Sequence, residues 1–487
     1  MLNKTLEHDN NASNIRTYVC VFLVTAMLFM QSFVDSVVSW SAVHDYIHLI
    51  GATSELTLVF LWIFMEKNKV HNKPVVICLV VYLIWLCFSR ILNVDLKLAK
   101  SMGHIQIVVL DIVLLYTGML SERTTREKML RVISVVLCSF FFVLSAAGIY
   151  AAIFQTNVVL PLGLNIELIK SGSSLYVSLE SSNRNACSMW VCMCFCLTIY
   201  QFAVCRKHIL RIPIIISGIA FYVFVALTMS RASVFALATA AAMAIALIVD
   251  KKLQRAKPIL RFTLLPLIAL AICVLTYKSA AVCCEGIDLV HNRLTDSVEE
   301  QTDLDLQTSA ENGKNLTSDE DEVEQAAFVD SRSKENTKSL SGRVSVWKSV
   351  IYAIALEPDR LLKGRLVNDY MNLPNVLNTD SPEEFVNAHN YLLDSLALTG
   401  LPGFIAMLLF SLFLVIRMLR VFFSTEIEMQ IKLLTIPLAA TFVKNMMESM
   451  IFRAGDVGDF LFSLIAGIFL AYSYEQLPLG LKKSKEV

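Results

Sequence analysis

The chain has 487 residues, of which 56% are hydrophobic and only 17% are charged, and its formal net charge at pH 7 is zero. This composition excludes a soluble domain, and the zero net charge excludes a basic nucleic-acid-binding protein. The apolar residues form blocks long enough to cross a bilayer as helices. The sequence therefore predicts a polytopic membrane protein, with no cleavable signal character in residues 1–16.

The apolar blocks predict about twelve transmembrane helices, each near the length that a span requires. They lie at about 18–38, 49–65, 74–92, 107–120, 132–154, 187–204, 213–229, 233–249, 258–277, 401–416, 431–447 and 460–474. The predicted fold class is an all-α polytopic integral membrane protein. We expect a membrane bundle over 1–277, a large loop over 278–400, and C-terminal spans with a tail over 401–487.

The distribution of Lys and Arg predicts the orientation. Alternate short loops carry these residues, and all such loops fall on one side of a twelve-span chain. They are Lys67, Lys69, Arg123, Arg126, Lys128, Arg131, Arg206, Lys207, Arg211, Lys251, Lys252, Arg255, Lys257, Arg417, Arg420, Lys482, Lys483 and Lys485. We therefore expect both termini in the cytoplasm and the large loop outside it.

Most of the twelve cysteines lie inside apolar blocks, where free Cys acts as a small hydrophobic residue. They suggest no disulfide framework. Cys283 and Cys284 are expected in a loop, and adjacent cysteines bond each other only with strain, so this pair is incidental or weakly redox-active. No Cys and His spacing typical of a metal site occurs.

The large loop has two predicted parts. Residues 296–338 are acidic and polar, with almost no aromatic side chains, a composition that favours disorder. Residues 341–400 are expected to contain short helices. The first of these is capped by Ser341, places Arg343, Trp347 and Ile351 on one face, and ends near Pro358. Its apolar contacts are expected from Val344, Val346 and Ile354.

His389 and Asn390 stand where the polar loop passes into an apolar run. Gly400, Pro402 and Gly403 interrupt the short helical segment that follows, before the membrane begins. A titratable imidazole at a membrane surface can serve as a base, whereas the alternative is a solvated or hydrogen-bonded interfacial histidine. Both interpretations remain open on this motif alone.

Two arginines are candidates for phosphate binding on the outer face. Arg231 follows Ser230 at the predicted junction of the seventh and eighth spans, and Arg343 lies on the loop helix. A planar fork of guanidinium donors matches the oxygens of a diphosphate. The alternatives are a headgroup anchor for Arg231 and a surface charge for Arg343.

Two further polar groups are expected near this surface. The segment from Ser182 to Ala186 includes Arg184 and Asn185, donors that suit sugar hydroxyls or phosphate, although such clusters are also ordinary loop ends. Lys444 and Glu448 are spaced i, i+4 near the outer end of the eleventh span, with Arg453 beyond. Ionisable groups at that depth face a cavity or form a structural ion pair.

Together these features resemble the O-antigen ligase and O-antigen polymerase superfamily. The resemblance rests on the span count, Ser230-Arg-Ala-Ser233, the large external loop with its S-G-R-x-x-x-W motif from Ser341 to Trp347, and the H-N-x9-G-x-x-G motif from His389 to Gly403. It implies a GT-C-like, metal-independent glycosyltransferase without cofactor. Such an enzyme moves a glycan from undecaprenyl diphosphate to a glycan, lipid or protein acceptor at the outer face of the bacterial cytoplasmic membrane.

The resemblance also implies roles for individual residues. Arg231 and Arg343 would bind the donor diphosphate, and His389 would be the general base or would orient the acceptor hydroxyl, supported by Asn390. Gly400 and Gly403 would be the motif glycines. The chain departs from the family pattern at Pro358 to Gly364, which lacks the fuller Gly-rich turn, and in its long acidic insertion.

The sequence leaves three functions open. A polymerase joins carrier-linked repeats into O-antigen, capsule or exopolysaccharide, whereas a ligase transfers a finished chain to another acceptor. The third is a polytopic transporter or lipid-linked glycan flippase, which the lack of a visible two-half repeat and the off-centre external loop disfavour.

Overall fold

The computed structural model describes residues 2–36, 57, 73–92, 98–161, 164–171, 174–179, 184–253, 258–310, 344, 346–348, 350–352, 354, 358–364, 388–448, 451–452 and 457–477. The helices are α1 Leu2–Ser36, α2 Lys73–Leu92, α3 Leu98–Leu120, α4 Arg123–Phe154, α5 Arg184–Val204, α6 His208–Leu227, α7 Arg231–Leu253, α8 Pro258–Ala310, α9 Pro358–Lys363, α10 Tyr391–Phe423, α11 Met429–Leu433, α12 Thr435–Asn445 and α13 Val457–Gln476.

Nine helices in the described part of the chain are long and apolar enough to cross a membrane, which confirms a polytopic membrane protein. They lie in α1, α2, α4 to α8, α10 and α13. Residues 105–120 of α3 form a shorter apolar helix. The predicted span at 49–65 lies outside the described residues except for residue 57, and the one at 431–447 corresponds to the short helices α11 and α12. The count of twelve stays a prediction.

A small antiparallel sheet between α4 and α5 corrects the all-α prediction. Its strands, in the order β1-β2-β3, are β1 Val158–Leu160, β2 Leu164–Ser171 and β3 Ser174–Leu179. Apolar residues alternate along β2 and β3, so that Ile166 and Val177 are fully buried. One face of the sheet therefore packs on the bundle, with Val177 next to Gly148 of α4.

The most buried helix is α13, of which 89% of the apolar window lies inside the protein. It packs on α3, where a Cβ on Gly467 would lie 1.9 Å from the Leu115 carbonyl oxygen and one on Gly118 would lie 2.7 Å from the Ile468 nitrogen. Small residues allow this backbone approach, which is typical of helix pairs in membranes. On the other side of the bundle, α10 packs on α2, and α7 packs on both α8 and α12.

Helix α8 has 53 residues and therefore a length of about 80 Å, far more than a hydrocarbon core of about 30 Å. It continues through 296–310, where the sequence predicts the start of disorder; 311–338 lie outside the described residues. The helix also contains Cys283 and Cys284, which were expected in a loop. Cys284 Sγ donates to the Ala226 carbonyl oxygen, 3.5 Å away, and all twelve cysteines are free.

One end of the bundle, here called the basic end, is held together by cations. Lys432 and Asp250 form a buried ion pair with 3.7 Å between Nζ and Oδ2. Arg126 pairs with Glu475, and Arg417 donates to the Ser473 and Leu477 carbonyl oxygens. Arg123 reaches Glu428 at 2.8 Å. These contacts join α4, α7, α10, α11 and α13, and the candidate site lies at the opposite end.

Candidate functional site

Four helix ends meet opposite the basic end and bring distant residues together. Asn185 lies in the first turn of α5, Ser230 directly precedes α7, His389 precedes α10, and Glu448 lies in the turn after α12. We call these four residues the site cluster. They are joined by side-chain hydrogen bonds, although as many as 263 positions separate Asn185 from Glu448 in the chain.

His389 and Glu448 form the centre of the site cluster. His389 Nδ1 lies 2.9 Å from Glu448 Oε2, and the imidazole is 37% exposed whereas the carboxylate is 8% exposed. A carboxylate only accepts hydrogen bonds, so Nδ1 carries the hydrogen in this contact. Glu448 therefore fixes both the tautomer and the orientation of a ring that remains accessible from outside the protein.

Asn185 connects Glu448 to the start of α7. Its Nδ2 donates to Glu448 Oε1 at 3.1 Å, and its Oδ1 accepts from Ser230 Oγ at 2.7 Å. Ser233 continues the network, with its Oγ 3.1 Å from Ser230 Oγ and 2.6 Å from Ser188 Oγ. The sequence does not predict these hydrogen bonds between serine hydroxyls. Serines are common in apolar helices, and only the tertiary structure shows which of them contact one another.

Lys444 is fully buried beneath the cluster. Its Nζ donates to the backbone carbonyl of Asn185, and its own carbonyl oxygen accepts from the Glu448 nitrogen at 2.9 Å. The sequence predicts an i, i+4 relation between Lys444 and Glu448, and the structure ties both residues to Asn185.

The backbone at His389 is held in an uncommon conformation. His389 has φ of +49°, and the preceding Ala388 is fixed by the Trp347 indole, which donates to its carbonyl oxygen at 2.8 Å, and by Asp394, which accepts from its nitrogen at 3.0 Å. Left-handed non-glycine residues cost free energy and tend to lie at functional sites. The imidazole direction is therefore set by the surrounding contacts.

Asn390 acts mainly as the helix cap of α10. Its Oδ1 accepts from the nitrogens of Leu392 and Leu393, 3.1 and 3.2 Å away, and its Nδ2 donates to the Met446 carbonyl oxygen at 3.3 Å. An Asn at this position satisfies N–H groups that the first turn leaves unpaired. Asn390 thus anchors the helix that follows His389 to the turn that carries Glu448.

Trp347 belongs to a helical stretch in which two of the three predicted apolar contacts are buried. Val346, Val350 and Ile354 pack with Ala388 and Leu398, whereas Ile351 is 54% exposed. Val346 and Ile354 were predicted to supply apolar contacts and do so, whereas Val344, which was also predicted there, is 38% exposed. The stretch still delivers Trp347 to the backbone before His389.

Gly400 marks a kink inside α10, at the place where the sequence predicts a break. It has φ of +69°, and a Cβ there would lie 2.6 Å from the carbonyl oxygens of Leu361 and Leu362 in α9. Gly364 makes the reverse approach, since its Cβ would lie 2.5 Å from the Leu398 carbonyl oxygen. Two glycines thus let α9 contact α10 directly. A Cβ on Gly403 would meet Thr399 Oγ1 at 2.0 Å.

The remaining candidate residues take separate positions. Arg231 is the first residue of α7 and is half-buried beside Ser230. Arg184 lies over the Tyr176 ring of β3, with 4.5 Å from Cζ to the ring centre. Arg343, Arg453, Ser182 and Asn183 lie outside the described residues. Among the described residues, no group of three or more His, Cys, Asp or Glu is placed to hold a metal ion.

Residues 214–408 match the family described as O-antigen ligase. This part of the chain is therefore similar to the O-antigen ligase family. The matched region is less than half of the chain and includes Ser230, Arg231, Arg343 and His389. No curated protein sequence matches the chain significantly.

The O-antigen ligase region contains only half of the site cluster. Ser230 and His389 lie inside residues 214–408, whereas Asn185 precedes the region and Glu448 follows it. The flanking helices α5 and α12 therefore complete the surroundings of the histidine. The matched family suggests a glycosyltransferase-like membrane enzyme, whose partners in general are a lipid-linked glycan and an acceptor.

Strained backbone also concentrates at this end of the protein. In the described part of the chain, the non-glycine residues with positive φ are Gln155, Met229, His389 and Phe452. Met229 directly precedes Ser230, and Phe452 follows the turn of Glu448, where its nitrogen donates to Asp459 Oδ1 at 2.9 Å. The loops that surround the site cluster are therefore held in defined, uncommon conformations.

Proposed function

We propose that this protein is a glycosyltransferase that moves a glycan from undecaprenyl diphosphate onto an acceptor hydroxyl, as a polymerase or a ligase of surface polysaccharide. The observation that carries the proposal is the His389–Glu448 pair, which presents an oriented, partly exposed imidazole inside a region of the O-antigen ligase family. The product would be O-antigen, capsule or exopolysaccharide.

The proposed orientation follows from the distribution of charge. The basic end contains Arg123, Arg126, Arg206, Lys251 and Arg417, which belong to the loops that the positive-inside rule assigns to the cytoplasm. The site cluster lies at the other end and would therefore face the outer side of a bacterial cytoplasmic membrane. Both termini would then be cytoplasmic, and an undecaprenyl-linked donor would approach His389 from the outer leaflet.

In the proposed reaction the acceptor oxygen attacks the anomeric carbon of the donor sugar. A new glycosidic carbon–oxygen bond forms, the bond from the anomeric carbon to the diphosphate breaks, and its electron pair leaves with the diphosphate. With Nδ1 engaged by Glu448, His389 Nε2 would take the acceptor proton. The imidazolium that results would be stabilised by the carboxylate at 2.9 Å. A single displacement inverts the configuration at this carbon.

Arginines would bind the leaving diphosphate in this proposal. Arg231 begins α7, where the helix N-terminus adds a partial positive charge, and Ser230 links it to Asn185 and hence to the His389–Glu448 pair. A fixed guanidinium at a partly dehydrated surface stabilises charge that develops on the leaving group. Arg343 would supply the second pair of guanidinium donors. Val346 and Val350, which follow it in the chain, pack with Ala388 next to His389.

The experiment is glycan display in cells that carry His389→Ala or Arg231→Ala, at matched expression in the membrane. Control variants are His208→Ala and Arg293→Ala, which remove exposed side chains of the same types elsewhere. We expect long-chain glycan to be lost only in the first two. Accumulated single carrier-linked repeats then indicate a polymerase, and accumulated full chains indicate a ligase. Normal display in both site variants would contradict the proposal and favour a transporter or flippase.

A further inference from the structure

A polar cavity of about 530 Å³ opens at the basic end, far from the site cluster. It is framed by α4, the end of α5 and α11, and its walls include Glu127, Arg131, Val135, Gln201, Arg206 and Gln430. The volume lies in the range of ligand pockets, roughly 300–1,000 Å³. The proposed glycosyl transfer does not use any of these residues.

The cavity carries uncompensated positive charge. Arg131 and Arg206 are exposed, and neither forms a hydrogen bond or ion pair within the described part of the chain. The acidic side chain in the wall, Glu127, is already engaged by Arg123 at 3.1 Å. Since Arg123 also pairs with Glu428, the wall carries two guanidinium groups and one carboxylate, a net charge of +1, which favours an anion with several acceptor oxygens.

A third donor in the wall also lacks a partner. Gln201 Nε2 is buried and makes no hydrogen bond. Buried N–H groups are normally paired, and a rotation of this side chain toward the cavity would let Nε2 reach an acceptor there. Together with the two arginines, Gln201 provides donors of the kind that phosphate oxygens require.

The outer wall of the cavity continues into an apolar surface. Glu127, Arg131 and Val135 follow one another at i, i+4 and i+8 along one face of α4, and Val135 is 55% exposed. The polar wall thus lies at the end of the span and the apolar wall lies deeper. This is the order in which a phospholipid presents its headgroup and its acyl chains.

We propose that this cavity binds the phosphate group of an anionic phospholipid, with Arg131, Arg206 and Gln201 donating to its oxygens. The positive-inside distribution assigns the lipid to the cytoplasmic leaflet. The inference goes beyond the proposed glycosyl transfer and does not rest on it, because binding is measured without any donor or acceptor glycan.

The test is binding of phosphatidylglycerol to the purified full-length protein in detergent, followed by native mass spectrometry. Parallel titrations use phosphatidylcholine and glycerol 3-phosphate. The site variants are Arg131→Gln/Arg206→Gln and Gln201→Leu, and the control is Lys251→Gln/Lys252→Gln, which removes the same charge from exposed positions at the same end. Thermal melting of each variant verifies folding, since both arginines lack protein partners.

We expect wild-type protein and the lysine control to bind one phosphatidylglycerol with the same affinity. The double arginine variant should bind at least about tenfold more weakly, and phosphatidylcholine should bind poorly to all. If glycerol 3-phosphate binds with the same affinity as phosphatidylglycerol, the cavity is a phosphate site, but its ligand is a soluble molecule. Equal phosphatidylglycerol affinity in the arginine variant and the lysine control, with both folded, would overturn the proposal.

Discussion

Glu448 accepts a hydrogen bond from His389 on one carboxylate oxygen and from Asn185 on the other, at 2.9 and 3.1 Å. The carboxylate thereby connects a histidine that lies in the O-antigen ligase region to an asparagine that lies before it. Both oxygens are occupied by partners from other helices, so the position of the imidazole depends on α5, α10 and α12 together.

Glu448→Gln tests this dependence. We expect the rate of glycan transfer at saturating donor and acceptor to fall by roughly 10- to 1,000-fold, because an amide neither holds the required tautomer nor stabilises the imidazolium. The KM for the donor should change little. The measurement is transfer by purified protein, with Glu426→Gln as an exposed control. A Glu448→Gln enzyme as fast as wild type would exclude a positioning role.

Trp347→Phe removes the hydrogen bond that fixes the backbone before His389. Loss of one hydrogen bond should cost about 1 kcal/mol of stability, whereas transfer should fall further because the imidazole direction becomes less restricted. Trp85→Phe is the matched control, since the Trp85 indole donates to the Leu362 carbonyl oxygen at 2.9 Å in a different contact. If both variants lose activity in proportion to their lost stability, Trp347 has only a structural role.

Gly400→Ala should destabilise the fold by roughly 1–3 kcal/mol for its positive φ, with a further cost from the clash with Leu361 and Leu362. A lower thermal melting temperature in detergent is the expected readout. Gly286→Ala in α8 is the control, because a Cβ there meets nothing within 4 Å and alanine favours a helix. A Gly400→Ala protein with the melting temperature of wild type would contradict the contact between α9 and α10.

The buried ion pair of Lys432 and Asp250 should contribute more to the free energy of unfolding than an exposed ion pair does. Lys432→Met alone leaves Asp250 with an uncompensated buried charge and should cost about 3–5 kcal/mol, much of which Lys432→Met/Asp250→Leu should restore. The exposed pair of Arg123 and Glu428 should contribute about 0–1 kcal/mol. Double-mutant cycles on thermal melting measure both couplings. Similar small values for the two pairs would contradict the buried ion pair.

Much of the architecture follows from the sequence because it depends on local composition. Blocks of apolar residues predict spans, and the described helices α2, α4 to α7 and α13 lie over predicted blocks. The small sheet was missed because its strands are short and lie between two spans, where alternation over a few residues gives a weak signal. The length of α8 was underestimated because Lys278, Glu285 and Asp288 interrupt the apolar run after Tyr277, although Ala280 and Cys284 in this continuation are buried.

Some residues of the candidate site could be predicted from the sequence, but the contacts between them could not. His389, Lys444 and Glu448 stand out in the sequence because ionisable groups next to apolar runs are rare. Their mutual contacts could not be predicted, since Asn185 and Ser230 join them only through tertiary packing. The hydrogen bonds from Asn390 to the Met446 carbonyl and from Trp347 to the Ala388 carbonyl likewise depend on where distant backbone groups lie.

The most direct test of the glycosyltransferase proposal uses purified protein in liposomes, with an undecaprenyl-diphosphate-linked oligosaccharide and its acceptor added. The measured quantity is the release of undecaprenyl diphosphate that accompanies glycan transfer, for wild type and for His389→Ala. We predict sustained release by wild type and a loss of at least about 100-fold in His389→Ala, with donor binding retained. Release by the folded His389→Ala protein at the wild-type rate would contradict a catalytic role for His389.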